Sequence, residues 1–195
     1  MLVRRQRGVT LIELMIGVAI VAILLATGMP SFNLWIQNTQ NRTAAESVLN
    51  GVQLARAEAV RRNTPVRFDL TNASGLVAWT VGCVTVTDDC PETIQSRPAS
   101  DGSPNARVGV STAALPSPLP VGHFGSAIAA GAGLIAGVTF NGIGRVVNDD
   151  DITRVDITSA TSSDARRFVV VIHTGGQIRM CDPALAFADN SQGCS

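Results

Sequence analysis

Three hydrophobic patterns follow one another along the chain. Residues 9–29, VTLIELMIGVAIVAILLATGM, are apolar almost without interruption, and their only charge is Glu13. Wound as a helix at about 1.5 Å per residue, such a run covers roughly 30 Å, the depth of a bilayer hydrocarbon core. Between residues 31 and 62 the pattern becomes periodic, with Ala45, Leu49, Val52, Ala55 and Ala59 at spacings of three and four, which predicts one apolar helical face. Glu58 and Arg62 stand four apart with the acid first, the supporting order on an exposed face, and Asn63 with Pro65 supplies a stop. A single helix, continuous from the apolar run into a folded head, is expected. Its small residues would let a sheet pack closely against it, as on any amphipathic helix seated on its own domain.

Beyond Pro65 the period drops to two. Val66, Phe68 and Leu70 alternate with Arg67 and Asp69, residues 72–75 offer a turn, and LVAWTV follows, so a hairpin is predicted. Further strands are expected over residues 83–87, 107–110, 137–140, 145–147, 152–157, 168–173 and 177–181, giving antiparallel sheet. Residues 91–105, with three prolines, and 111–137, rich in Ala, Gly and Pro, are too long to be simple connectors, and loops of that size often carry recognition. The predicted fold class is α+β, a long N-terminal helix packed on an antiparallel β-sheet head. The expected divisions are a leader at 1–8, a transmembrane half-helix at 9–30, an amphipathic half at 31–63 and a β-rich head at 64–195.

A length of 195 residues allows one compact domain with a remainder. With 46% apolar and 15% charged residues, a disordered tail protein and a coiled-coil rod are excluded. The 15 basic residues, all arginine, balance 15 acids. Arg4, Arg5 and Arg7 precede the apolar run, however, and without them the rest of the chain is mildly acidic, so nucleic acid would need a local patch. By the positive-inside rule these arginines hold the short tail in the cytoplasm and leave the head outside, on a single-pass chain. A secretory signal is cleaved after its apolar run at an Ala-x-Ala-like site, and residues 25–31 offer a poor one. The better junction lies between Gly8 and Val9, which keeps the membrane helix and leaves its new amine beside Glu13.

An unpaired acid inside a membrane helix costs about 2.5–3.5 kcal/mol or more and normally marks function, so Glu13 is expected to meet a positive partner. The other reading is a capping box of Thr10 and Glu13 at a helix start near the interface.

Cys83, Cys90, Cys181 and Cys194 are even in number and show no Cys-x-x-Cys spacing. Two disulfides are the economical reading, which implies folding outside the reducing cytoplasm. Of three possible pairings the local one, Cys83 with Cys90 and Cys181 with Cys194, closes short loops that the strand signals allow; free buried thiols and a crossed pairing stay open. His123, in a Gly-rich loop, and His173, ending an apolar strand, have no Asp, Ser or Cys spaced for a triad. Asp149, Asp150 and Asp151 lack EF-hand spacing and read as a solvated turn. No phosphate loop or facing pair of carboxylates is evident, so neither catalysis nor a cofactor or metal is expected.

The stretch GVTLIELMIGVAIVAILLATGMPSF resembles the signature of type IV prepilins and of the pseudopilins of type II secretion. The resemblance implies that a membrane prepilin peptidase cuts after Gly8 and N-methylates Val9, and that Glu13 pairs with the N-terminal amine of a neighbouring subunit during assembly. Pro30 falls where such stems commonly bend. Val9 departs from the usual Phe, with little consequence for methylation of a backbone amine.

Two further stretches, NRTAAESVLNGVQLARAEAVRRNTPVRF and VVVIHTGGQIRMCDP, are similar to the minor-pilin branch called GspH, FimT and FimU. This implies a pilin fold, other major and minor pilins as partners, residence in the inner membrane with a periplasmic head, and later a place in a pilus or pseudopilus, near the tip. The pair Cys181 and Cys194 favours the FimU and FimT side, because GspH-type pseudopilins usually lack it. FimT-type proteins that bind DNA carry Gly-Arg-x-Arg where this chain has Gly176, Gln177, Ile178 and Arg179, so the first arginine is missing. A hairpin could still gather Arg166, Arg167 and Arg179 for contacts to DNA phosphates. The alternative is that they are strand and turn residues paired with Asp164 or Asp182.

Overall fold

The computed structural model describes residues 9–148 and 150–194, apart from the side chains of Thr27 and Pro30. The expected leader, Gly8 and Asp149 lie outside the described residues. Helix α1 covers Leu11–Arg62. The Thr10 hydroxyl accepts the Glu13 N–H at 3.3 Å, an N-cap that satisfies one orphan donor of the first turn. At the other end Asn63 takes a φ of 50°, and Thr64 N–H reaches the Ala59 carbonyl at 3.3 Å. The stop is therefore a left-handed cap, for which Asn is suited.

The chain divides into two compact units between Ile36 and Gln37. In the first, the described side chains of residues 9–29 are exposed. In the second, eight strands follow the helix: β1 Val66–Leu70, β2 Trp79–Cys83, β3 Gln95–Arg97, β4 Ala106–Ser111, β5 Ala136–Phe140, β6 Arg154–Ser159, β7 Phe168–Ile172 and β8 Ile178–Cys181. They form two antiparallel sheets, sheet A in the order β3-β2-β1-β5 and sheet B in the order β4-β6-β7-β8.

Both sheets share one core with the helix. Ala45, Val52, Ala55 and Ala59 are fully buried, as are Ala44 and Val48, and Leu49 packs at the edge. They meet Phe68, Val81 and Phe140 of sheet A and Val155, Ile157 and Val170 of sheet B. Close approach is built into this contact, since a Cβ on Gly51 would lie 2.7 Å from the Phe68 ring. Sheet B is also covered on its other face. Val169 and Val171 of β7 pack there with Phe124, Cys181 and Cys194, which is why β7 is buried at every position rather than alternately.

Several expectations need correction. Residues 84–87 do not extend β2; they enter a disulfide-closed loop. Residues 145–147 make only a single bridge, Phe140 to Val146. The proline-rich stretch 91–105 contains β3, an exposed edge strand paired to β2, where proline spacing hid a run too short to show period two. Finally, Glu58 is partly buried rather than on an open face, and bonds both Arg61 and Arg62.

Candidate functional site

The stem offers one chemically distinctive group. Glu13 sits in the first turn of α1, exposed among exposed apolar side chains such as Leu11, Ile12 and Leu14. The helix is long and apolar enough to cross a membrane by length and composition. Among the described residues no cation pairs with the Glu13 carboxylate. A carboxylate at the helix N-terminus is also favoured by the helix dipole.

In the head, the polar chemistry concentrates on the outer face of sheet B. Arg154 and Asp156 are two apart on β6 and so share a face. Arg154 Nε donates to Asp156 Oδ1 at 2.6 Å, and the carboxylate is fully buried. Arg167 donates to the other oxygen at 2.5 Å, and the Ile128 N–H reaches it at 3.0 Å. The two guanidinium groups then bind the overlying loop: Arg154 Nη2 meets the Ser126 carbonyl at 2.6 Å, and Arg167 meets the carbonyls of Phe124 and Gly125. Arg154 also lies 5.0 Å above the Phe124 ring. The long loop foreseen as a recognition element is thus fastened to the sheet by a buried ion cluster. An Arg-x-Asp pair inside an otherwise apolar strand was the available signal, and sequence reading missed it.

The three arginines singled out for DNA do not form one cluster. Arg167 belongs to the buried network. Its neighbour Arg166 turns to the opposite face, where Nε bonds Asp182 at 3.1 Å, and its backbone is held by Asn38 and Asn41 of α1. Arg179, opposite Val171 in the ladder, donates to the Gly193 carbonyl and lies 4.6 Å from the Phe187 ring. Each therefore has acceptors within its own chain, and Asp182 is the partner that the alternative reading named for Arg166.

Asp151 corrects the picture of a solvated acidic turn. It is 3% exposed and accepts the Thr139 N–H at 2.9 Å and Arg67 Nη1 at 3.2 Å, tying the turn to β5 and β1. Asp150 is exposed. The cysteines pair locally, Cys83 with Cys90 and Cys181 with Cys194, at Cα separations of 5.8 and 5.0 Å. His123 packs edge-on to Phe124, and His173 ends β7 in a turn closed by its N–H to the Gln177 carbonyl at 2.9 Å. A recess of about 620 Å³ beside β3 is lined by polar groups of α1 such as Thr43, Glu46 and Asn50, with Gln95 and Arg97 opposite. Among the described residues no three His, Cys, Asp or Glu groups converge as metal ligands.

A family model described as Type II transport protein GspH matches residues 44–176, more than half of the chain, and a prokaryotic N-terminal methylation motif matches residues 3–29. The type IV major fimbrial protein FimA of Dichelobacter nodosus is 42% identical over 74 residues, 37% of this chain and 44% of that relative, so the match spans less than half of the relative's length. The crystal structure of the type IV minor pilin FimU of Pseudomonas aeruginosa superposes with a TM-score of 0.52 at 16% identity, covering 78% of this chain and 96% of that one. The minor pseudopilin EpsH of Vibrio cholerae gives 0.49 at 11% identity over 75% and 99% of the two chains. The likeness to FimU shows the fold, a long N-terminal helix with antiparallel sheets in the manner of pilins. With the family model running from α1 through β7 and the methylation motif over the stem, the chain belongs to the GspH family of type IV minor pilins and pseudopilins.

Proposed function

We propose that this chain is a minor subunit of a type IV pilus, of the FimU and FimT kind, that primes or joins the filament near its tip. In this reading the leader is cut after Gly8, Val9 is N-methylated, and the stem waits in the inner membrane with the head in the periplasm. Assembly buries the exposed apolar helix against neighbouring stems. Glu13 then pairs with the N-terminal amine of an adjacent pilin, because an uncompensated carboxylate in that apolar setting is costly. The head serves as a structural unit that selects neighbours, not as an enzyme. One observation carries the proposal: a lone acid near the start of an exposed, otherwise uncharged helical run.

A second reading, a pseudopilin of type II secretion, is supported by the family model over the head. The test is a strain lacking the gene, complemented with the wild-type or the Glu13→Ala chain and scored for surface pili, secretion and DNA uptake. The pilus reading expects a mature N-methylated Val9 in mass spectra, loss of pili in the deletion, and a cleaved but unincorporated Glu13→Ala protein. Loss of secretion with pili intact would transfer the chain to the secretion machine. A selective loss of DNA uptake would point to DNA capture. An intact Met1 on the mature protein would overturn both filament readings.

A further inference from the structure

Two loops at one end of sheet A present side chains that take no part in the core. Val66 of β1 stands opposite Cys83 of β2 and, on its other side, opposite Phe140 of β5. The segments that leave β2 and β5 therefore emerge at the same end and flank β1. After β2 the Cys83–Cys90 disulfide clamps a loop, reinforced by Thr87 and Cys90 exchanging backbone hydrogen bonds at 3.0 and 3.1 Å. That loop exposes Val84 and Val86 at 55% and 59%, with Asp88 and Asp89 beside them and Glu92 just beyond. None of these three carboxylates has an ion-pair partner among the described residues; Arg62 reaches the loop only through the Asp89 carbonyl.

After β5 a second rigid turn carries the opposite charge. The Asn141 side-chain oxygen accepts the N–H groups of Ile143 and Arg145 at 3.1 and 3.0 Å, and Gly144 supplies the positive φ of 75°. Ile143 is left 73% exposed at the tip. The turn rests on α1, where Arg56 Nε donates to the Gly144 carbonyl at 3.1 Å and Val60 stays half-exposed. Arg56 and Arg145 are exposed, and among the described residues neither meets a carboxylate.

We propose that the two features are complementary halves of a surface through which the heads of two copies of this chain associate. The valine and aspartate loop of one copy seats on the Ile143, Val60, Arg56 and Arg145 patch of the other. Within one chain the halves are held apart by β1, about 10 Å across two ladder spacings, on loops fixed by a disulfide and an Asn-capped turn, so they neutralise each other only between chains. Because both lie at one end of the sheet, a twofold axis makes the contact twice. The clamped loops are already ordered, which lowers the entropic cost of pairing. Opposite charges steer the encounter and set register, while the apolar side chains at both centres supply buried area. This inference concerns head residues alone and stands whether the filament is a pilus or a pseudopilus.

The experiment uses the full chain in the membranes of expressing cells, with a photo-crosslinking amino acid at position 143. Irradiation is expected to give a dimer whose crosslinked peptide, read by mass spectrometry, contains residues 84–92. Asp88→Arg with Asp89→Arg should lower the dimer yield at least about fivefold, and Arg145→Asp alone should do the same, since like charges then face each other. Joining all three changes in one chain sets an acid at 145 against the new arginines and should recover part of the dimer lost in either variant alone, which a merely misfolded variant would not do. Mapping of the Cys83–Cys90 bridge checks each variant's fold. No dimer, a crosslink that maps elsewhere or to another protein or nucleic acid, or a yield indifferent to charge reversal would overturn the proposal. None of these outcomes touches the Glu13→Ala result, so the two readings fail separately.

Discussion

Arg154 and Asp156, two residues apart on β6, meet at 2.6 Å on the outer face of sheet B, with the carboxylate fully enclosed. The pair matters for what it holds. Asp156 is shared with Arg167, and both arginines spend their remaining donors on carbonyls of residues 123–126. The loop that covers Val169, Val171 and the Cys181–Cys194 bridge is thus pinned by an acid that never meets solvent.

Asp156→Ala should therefore be severe. It strands two guanidinium groups in a dry site, and breaking one partner of a buried pair costs about 3–5 kcal/mol. Equilibrium denaturation would read the loss. Limited proteolysis should show new cleavage between residues 112 and 135 before the sheets unfold, because the loop depends on the cluster more than the strands do.

Arg167→Ala separates structure from nucleic-acid contact. Removing a charged hydrogen-bond donor from this buried network is expected to cost about 1.5–3 kcal/mol of stability. Arg179→Ala, whose partners are one carbonyl and one ring, should cost less. If the two changes instead weaken duplex DNA retardation equally and leave stability alone, the arginines serve DNA.

The Cys181–Cys194 bridge closes a span of 13 residues at the chain end. Cys181→Ala with Cys194→Ala should lower stability by about 3 kcal/mol in the chain-entropy account. Comparing denaturation of wild type and the double variant without reductant, so that Cys83–Cys90 stays closed in both, checks the figure.

Glu58 gives the fold a pH dependence at the end of α1. The hydrogen bond from Arg61 is the largest influence on its carboxyl and holds it below the ordinary 4.5; burial opposes this and the Arg62 hydrogen bond aids it. A group lowered in the folded state contributes stability above its unfolded value, and that contribution is lost as pH falls through the folded one. Glu58→Gln should thus be less stable than wild type near neutrality, and the two should converge as the pH falls through the carboxyl's lowered folded-state value. Thermal melts across pH 3–7 test the sign.

Gly51→Val probes the helix-to-sheet distance. A Cβ there already approaches the Phe68 ring at 2.7 Å and Trp79 at 3.2 Å. Overpacking of this kind typically costs about 1–3 kcal/mol, which exceeds the few tenths that valine gains over glycine in helix propensity. A stabilised variant in a denaturant melt would mean that the helix can lift from the sheet.

Much of the fold was legible because it rests on local periodicity. The apolar run, the three-four spacing of Ala45, Val52, Ala55 and Ala59, and the alternation in β1 each follow from which way successive side chains point. Asn63 ended the helix because its own backbone tolerates the left-handed region. Other features were not local. Arg166 and Arg167 look equivalent in the sequence, yet in the lead-in to β7 one bonds Asp182 and the other Asp156, each a residue brought there by long-range pairing.

By itself, the sequence determined the apolar stem with its single acid, the helical period of α1 and the alternation of β1, and the separation of helix from sheet, since these depend on neighbours within a few positions. Only the tertiary structure decided which charges are buried. Asp151 and Asp156 read as ordinary polar residues until β5, β6 and the 111–137 loop enclose them, and a charge's environment depends on what distant chain segments exclude water from it.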